Sequence, residues 1–108
     1  DLPALRELAG GDHEFERELI ATYIDSGDTT VKKILEALAG NDLPTVRRAA
    51  HSLKGASANL RAAPLTAAAR VLEQLASNDD RAGCESAAQK VREEYERTTT
   101  YLRSVASC

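Results

Sequence analysis

Apolar residues recur at three- and four-residue steps along almost the whole chain, and this helical period constrains the fold more than any other feature of the sequence. No segment alternates apolar and polar residues for long enough to predict a β-strand. The clearest stripe lies in the last quarter of the chain and comprises Cys84, Ala87, Ala88, Val91, Tyr95, Thr98, Leu102 and Val105. The sequence therefore predicts an all-α fold.

Helix caps and breakers divide this pattern into four main helices. Asp12 and Asp42 have the short acceptor side chain that is preferred at helix N-caps, so we expect a long helix after each of them. We expect the second of these helices to run to about Arg61 and a third to start at Pro64. The fourth helix follows the polar loop at residues 78–80.

Two weaker signals complete this plan. The small polar and glycine residues at 26–28 are predicted to interrupt or bend the first long helix, which ends at the Gly40-Asn41 pair. The opening segment from Leu2 to Leu8 carries leucines at three-residue spacing and predicts a short extra helix. Because the connections are short, consecutive helices should be antiparallel neighbours. The expected architecture is an antiparallel up-down four-helix bundle with a short extra N-terminal helix.

The length and composition fit one domain. A chain of 108 residues, 43% of them hydrophobic, has enough apolar material for one modest core, and we assign residues 1–108 to a single domain. No apolar run is long enough to span a membrane and no signal-peptide pattern opens the chain, which favours a cytoplasmic domain without direct membrane contact. The absence of methionine favours a segment of a longer protein. One buried stripe per helix is consistent with a monomer.

The charged residues are unevenly distributed. The whole chain carries a formal net charge of -3, yet residues 43–72 contain five basic residues and no acidic residue. A cationic segment of this length inside an acidic protein predicts a surface that meets a negatively charged partner. The five basic residues are Arg47, Arg48, Lys54, Arg61 and Arg70, and His51 lies among them.

Helical-wheel geometry places His51 on the solvent side of its helix. At about 100° per residue, His51 lies about 160° from Leu53, which is at the centre of the apolar face. That face is formed by Val46, Ala49, Ala50, Leu53, Ala56, Ser57 and Leu60. The pattern therefore predicts an exposed imidazole surrounded by cations.

Gly55 follows His51 by one turn and is also predicted to face solvent. A glycine inside a helix costs about 1 kcal/mol relative to alanine, and the core gains nothing from one that points away from it. The apolar pattern continues in phase beyond Gly55, so this glycine does not end the helix. We therefore interpret it, together with Ala58 further along the helix, as a gap through which another molecule approaches the ring.

The residues around His51 disfavour two of the usual roles of histidine. A metal site needs further ligands, but no His, Cys, Asp or Glu lies three or four residues away. Cys84 and Cys108 lie in no metal-binding motif and are interpreted as free thiols of a cytosolic domain. General acid–base catalysis usually needs an orienting carboxylate, and the nearest acids in the sequence are Asp42 and Glu73. Nucleophilic chemistry remains open, because an unprotonated imidazole keeps a free lone pair.

A resemblance to a known family starts at residues 51–60, whose sequence is HSLKGASANL. This segment is similar to the signature of histidine-containing phosphotransfer (HPt) domains, and the residues at 5–12, 15–38 and 78–81 also look like the layout of that family. In HPt domains an exposed histidine accepts a phosphoryl group from the aspartate of a receiver domain and passes it to another receiver. The resemblance therefore covers essentially the whole chain.

The resemblance assigns roles to particular residues. It implies that Nε2 of His51 is the phosphorylation site, that Lys54 steadies the phosphoryl oxygens and that Gly55 gives the receiver steric access to the ring. Arg47, Arg48 and Ala58 would belong to the rim on which the receiver docks. His13, which lies among acidic residues in the first turn of a helix, is interpreted as a solvated surface residue.

The chain departs from the family pattern at Arg61. HPt domains commonly have a second glycine ten residues after the histidine, and this chain has Arg61 there. Because Arg61 stands near the expected end of its helix, it either alters the helix terminus or adds a cation to the docking rim. The departure leaves the role of His51 intact and bears on the choice of partner.

The resemblance implies a phosphorelay intermediate that is a phosphocarrier module and not an enzyme. Its partners would be response-regulator receiver domains, which supply the aspartate and a bound Mg2+, so this chain would need no metal or cofactor of its own. The implied parent is a larger hybrid sensor histidine kinase, whose anchor in the inner membrane would lie outside these residues.

Two other functions stay open from the residues alone. A non-catalytic helical adaptor whose basic face binds an acidic protein partner would explain the charge of residues 43–72, but it would leave the placement of His51 and Gly55 to chance. Nucleic-acid binding is disfavoured, because the chain is acidic overall and lacks stacking aromatic residues near the basic segment. We therefore expect phosphotransfer and no nucleic-acid partner.

Overall fold

The computed structural model describes Glu7 and residues 9–106, and all regular structure in this part of the chain is helical. Its elements, in chain order, are α1 (His13–Ala39), α2 (Leu43–Asn59), α3 (Ala63–Ser77) and α4 (Arg81–Ala106). Each helix packs against its neighbour in sequence, and α1 also packs against α4, which closes a four-helix bundle. The all-α bundle is thereby confirmed. Glu7 and Ala9 are helical, but the rest of the predicted N-terminal helix lies outside the described residues.

Aspartate side chains cap three of the helices at their first turn. Asp12 Oδ1 accepts hydrogen bonds from the backbone N–H groups of Glu14 and Phe15, at 3.0 and 3.1 Å. Asp42 Oδ1 accepts from the N–H of Thr45 at 3.2 Å, and Asp80 Oδ1 accepts from the N–H of Gly83 at 2.9 Å. These bonds satisfy backbone donors that have no partner within the helix, so the predicted starts of α1, α2 and α4 are confirmed.

The three connections, at residues 40–42, 60–62 and 78–80, use the same geometry. Each has a residue in the left-handed conformation two positions after the helix end: Asn41 (φ 57°), Arg61 (φ 56°) and Asp79 (φ 59°). In each, the next N–H bonds back to a carbonyl five residues earlier, as Ala62 does to Ser57 at 3.0 Å, which defines a Schellman motif. Asn and Asp tolerate this conformation, whereas arginine is an unusual residue for it.

The predicted interruption of α1 at residues 26–28 is wrong, because α1 is one continuous helix. Gly27 is buried, and a Cβ atom added to it would lie 2.5 Å from Cε1 of Tyr95 on α4. The Tyr95 hydroxyl lies 2.9 Å from the carbonyl oxygen of Ile24 and 2.7 Å from Asp28 Oδ1. The glycine therefore gives a tyrosine ring room against the helix, and this packing offsets its low helix propensity.

The core consists of two clusters. The larger one contains buried residues of all four helices, with Val46, Ile34, Leu72 and Val91 nearly inaccessible. The smaller one contains Ile20, Leu60 and Leu102 and lies where α1 begins and α4 ends.

Most of the predicted apolar stripes face these clusters, with two exceptions on α1. The helical period groups Phe15 and Leu35 with the apolar residues of α1, but both are exposed, at 43% and 38%. Each lies at the edge of its stripe, where an amphipathic helix passes from its buried to its exposed side.

Candidate functional site

His51 projects into solvent from the middle of α2. Its side chain is 68% exposed, which agrees with the helical-wheel prediction. The predicted apolar face of α2 points the other way. Six of its seven residues are buried, and Ala56 is half-buried. The burial of that face holds the helix in one rotation and thereby keeps the imidazole outside.

The carboxylate of Glu73, on α3, lies beside the ring. Nδ1 of His51 is 2.7 Å from Oε2 of Glu73, a hydrogen-bond distance. An ionised carboxylate only accepts hydrogen bonds, so Nδ1 carries the proton and donates it to Glu73. In the neutral ring, the lone pair then belongs to Nε2. One contact between helices therefore selects the nitrogen that can act as a nucleophile.

Lys54 fixes the other oxygen of the same carboxylate. Its Nζ donates to Glu73 Oε1 at 2.6 Å, so Glu73 bridges Lys54 and His51. The Glu73 side chain is 19% exposed and that of Lys54 is 28% exposed, which shields both from water. The hydrogen bond from Lys54 lowers the pKa of Glu73; burial opposes this shift, and the hydrogen bond with His51 adds to it. The carboxylate is therefore ionised at neutral pH.

The contact between His51 and Glu73 is not predicted above, because the two residues are far apart in the sequence. A usable signal was present, because His51 and Glu73 lie equally far on either side of Ala62, in the connection between α2 and α3. In an antiparallel helix pair, residues equally distant from the turn lie side by side. The same geometry explains why the segment at residues 43–72, which has no acidic residue, still meets a carboxylate.

Gly55 stands in open space beside the histidine. No side chain or backbone atom outside its own helix lies within 4 Å of a Cβ added at this position. Ala58 is also exposed, so the surface on the C-terminal side of the ring consists of small residues. The gap inferred from the sequence is present.

The arginines predicted to form the docking rim are all exposed, but they have different neighbours. Arg48 donates to Thr45 Oγ1 at 3.1 Å, close to the start of α2. Arg61 reaches Glu7 Oε2 at 3.4 Å. The structure gives Arg47 no hydrogen bond or ion pair with another described residue. The rim is therefore cationic at both ends of α2.

The remaining predicted features lie away from this site. His13 is exposed on α1, with Nδ1 3.9 Å from a carboxylate oxygen of Glu16. Cys84 is a buried free thiol whose pKa is raised by burial, and Cys108 lies outside the described residues. Within the described part of the chain, no three potential ligands stand together as a metal site. None of the helices that the structure describes is long and apolar enough to cross a membrane.

Comparison with known proteins agrees with this geometry. The family model for the Hpt domain matches residues 18–101, which include most of α1, all of α2 and α3, and most of α4. The chain therefore belongs to the Hpt domain family. Neither the curated proteins nor the solved structures contain a significant match to it. Membership of the family makes the chain a phosphotransfer module of a two-component phosphorelay, with phosphohistidine as the carrier species.

Proposed function

We propose that Nε2 of His51 accepts a phosphoryl group from the aspartyl phosphate of one receiver domain and donates it to the aspartate of another. The observation that carries this proposal is the 2.7 Å contact between Nδ1 and Glu73, with the rest of an exposed ring facing solvent. A nucleophile for phosphoryl transfer needs a free lone pair and an open path to it. His51 has both.

The transfer follows from this protonation pattern. The Nε2 lone pair attacks the phosphorus atom, the bond from phosphorus to the aspartate oxygen breaks, and the aspartate leaves as a carboxylate. The ring then carries a positive charge and keeps its proton on Nδ1, where the ionised Glu73 stabilises it, as a buried aspartate stabilises the imidazolium of a serine-protease triad. In onward transfer the protonated ring leaves as neutral imidazole, so the same hydrogen bond assists both directions.

Lys54 and Gly55 assist this step in different ways. An ammonium group has three donors, and Lys54 uses one of them on Glu73. The others can meet the phosphoryl oxygens and balance their negative charge. Gly55 leaves the space through which the carboxyl phosphate of a receiver reaches Nε2. Lys54 is thus the stabilising residue and Gly55 the access residue.

The reaction is shared between two proteins. The receiver would supply the activated aspartate and a Mg2+ ion, and this chain would supply the nucleophile, so it acts as a carrier without autonomous catalysis. We place the domain in the cytoplasm, because it must meet receiver domains and their phosphate source there. We further propose that it is a monomeric module of a larger hybrid sensor kinase.

A label-transfer experiment tests the assignment of His51. The domain is incubated with a receiver carrying a radioactive aspartyl phosphate, and the label on the domain is followed with time. We expect label that survives base and is lost in acid, as for a phosphoramidate. It should vanish in His51→Gln and persist in His13→Gln, the matched control. Label that persists in His51→Gln would refute the assignment.

A further inference from the structure

We infer that the groove between the end of α2 and the start of α3 binds an acidic segment of the receiver and selects among receivers. This inference rests on the proposed function. The groove, called here the α2–α3 groove, is lined by Ala58, Arg61, Ala63, Thr66, Ala67 and Arg70. Arg70 belongs to the basic segment at residues 43–72, and the proposed transfer step gives it no role.

The α2–α3 groove adjoins the phosphorylation site. Arg70 precedes Glu73 by three residues on α3, about one helical turn, and Glu73 contacts His51. On α2, Ala58 follows Gly55 by three residues. A receiver whose aspartate lies at His51 therefore covers this groove when the receiver surface extends toward the C-terminal end of α2.

The lining of the groove is positively charged. Its lining contains two arginines and no acidic residue. Arg70 and Glu73 are the two charged residues of α3, and Glu73 is engaged with His51 and Lys54. Arg70 is exposed, and in the described part of the chain it forms no hydrogen bond or ion pair. Arg61 has one contact, at 3.4 Å to the exposed Glu7, which solvent weakens.

The floor of the groove allows a close approach. Alanines at 58, 63 and 67 line it, so the backbone of a partner can come near without displacing long side chains. Arginine is enriched at protein interfaces, and its guanidinium group binds carboxylates with two parallel hydrogen bonds. The groove therefore fits a segment that presents aspartate or glutamate side chains.

The backbone at Arg61 is a second, independent observation. The equivalent positions in the other two connections hold Asn41 and Asp79, which tolerate the left-handed conformation. The local structure would favour glycine or asparagine at 61, and nothing in the described residues requires arginine there. Residues held in sparsely populated backbone conformations cluster at functional sites. Here the side chain lines the groove.

Charge reversal tests the inference against a matched control. The double variant Arg61→Glu/Arg70→Glu is compared with Arg47→Glu/Arg48→Glu, which makes the same change in net charge at the other end of α2. The probes are several phosphorylated receivers that label the wild-type domain, and the readout is the transfer rate from each against its concentration at low and high salt. Phosphorylation by phosphoramidate, a donor too small to contact the groove, is measured in parallel.

We expect the Arg61/Arg70 variant to lose about tenfold or more in transfer from the receiver at low salt, with little change in phosphoramidate labelling. The Arg47/Arg48 variant should lose less, and the ranking of different receivers should change only in the Arg61/Arg70 variant. Equal losses in both variants, or no loss in the first, would overturn the inference while leaving His51 as the acceptor. If neither donor labels the wild-type domain, the proposed function itself fails.

Discussion

At the scale of single residues, the structure concentrates its chemistry in three side chains. In the proposed transfer His51 provides the nucleophile, Glu73 accepts the hydrogen bond from Nδ1 of His51, and Lys54 donates to the other carboxylate oxygen of Glu73. The distances of 2.7 and 2.6 Å are those of charge-assisted hydrogen bonds, which are shorter and stronger than neutral ones. In this proposal the reactivity of His51 depends on Glu73, whose carboxylate is also held by Lys54.

Substitutions at Glu73 distinguish the contribution of its hydrogen-bond acceptor from that of its negative charge. In Glu73→Ala the ring loses its acceptor and the proton redistributes between the nitrogens, so we expect phosphotransfer to slow about 10- to 100-fold, as for other lost partners of a functional histidine. Glu73→Gln keeps an oxygen that can accept from Nδ1 and should retain more activity. Single-turnover rates from a phosphorylated receiver measure both. Wild-type rates in Glu73→Ala would show that the contact does not control the reactive nitrogen.

The lowered pKa of Glu73 also predicts how stability depends on pH. Because the pKa in the folded state lies below the ordinary value of 4.5, the stabilisation is fully present above that value and is lost as the pH falls through the lower folded pKa. We expect Glu73→Gln to be less stable than the wild type by about 1 kcal/mol at pH 7. The difference should shrink as the pH falls below 4.5.

Urea denaturation at several pH values measures this difference. Glu93→Gln is a suitable control, because Glu93 is exposed and forms no ion pair with another described residue. A gap between Glu73→Gln and the wild type that stays constant down to low pH would contradict the account.

At the scale of secondary-structure elements, two glycines inside helices should respond in opposite ways to alanine. A Cβ at Gly55 meets open space, so Gly55→Ala should stabilise the domain by up to about 1 kcal/mol through helix propensity. A Cβ at Gly27 meets Tyr95 at 2.5 Å, so Gly27→Ala should destabilise it by about 1–3 kcal/mol. Thermal melts compare the two, and the same sign for both would contradict the assigned packing.

Gly55 also allows a test of access that is independent of stability. Gly55→Leu places a large side chain in the gap beside His51, where the bundle itself has no contact with it. We expect slower transfer from a receiver, with an unchanged helical circular-dichroism signal and a melting temperature no lower than that of the wild type. A large loss of stability would show that the glycine is packed in the fold.

The connection at Arg61 gives a further prediction about the helix ends. Arg61→Gly removes the cost of a left-handed arginine, about 1–2 kcal/mol, but increases the freedom of the unfolded chain. We expect a net stabilisation of roughly 0.5–1 kcal/mol. Asp79→Gly, at the equivalent position after α3, should gain less, because aspartate tolerates this conformation. Denaturant midpoints measure the stability of both variants. A lower midpoint for Arg61→Gly than for the wild type would contradict the assigned backbone cost at Arg61.

Local signals predicted most helix boundaries because their causes lie within a few residues. Asp12 and Asp42 cap helices by bonding to the backbone of the next turn, so the sequence around them is sufficient. Gly27 is the counterexample. The residues next to Gly27 predict an interruption of α1, whereas the contact that compensates for the glycine comes from Tyr95, on a different helix. Such packing cannot be read from a local pattern.

At the scale of the whole molecule, the unequal helix lengths suggest two regions of different stability. α1 and α4 are about 40 Å long and α2 about 25 Å, so the outer pair extends beyond the inner pair. Where this extension begins, Ile20 of α1 and Leu102 of α4 form the small cluster with Leu60, which follows α2. A cavity of about 240 Å3, lined by residues of both clusters, lies between it and the main core.

Amide hydrogen exchange tests this division. We expect the first two turns of α1 and the last two turns of α4 to exchange faster than the amides near Leu53 and Leu72, because fewer buried contacts hold them. The amide of His51 should belong to the slowly exchanging region. Uniform protection across both regions would show that the bundle opens as one unit.

Features of the site that depend on one helix could be predicted from the sequence, whereas the contact that depends on the register between two helices could not. The exposure of His51 and the gap at Gly55 follow from the period of a single helix, and the structure agrees with both. The contact with Glu73 depends on how α2 and α3 pack across their connection, which no single-helix pattern contains. A site formed between elements requires the fold before its partners can be named.

In the proposed mechanism Nε2 of His51 carries the phosphoryl group because Nδ1 is hydrogen-bonded to Glu73. The most direct measurement is nuclear magnetic resonance of the nitrogen-15-labelled domain after phosphorylation by a receiver, in which phosphorus–nitrogen coupling identifies the modified atom. We expect coupling to Nε2 of His51, with Nδ1 still protonated. A phosphoryl group on Nδ1, or on any residue other than His51, would contradict the claim.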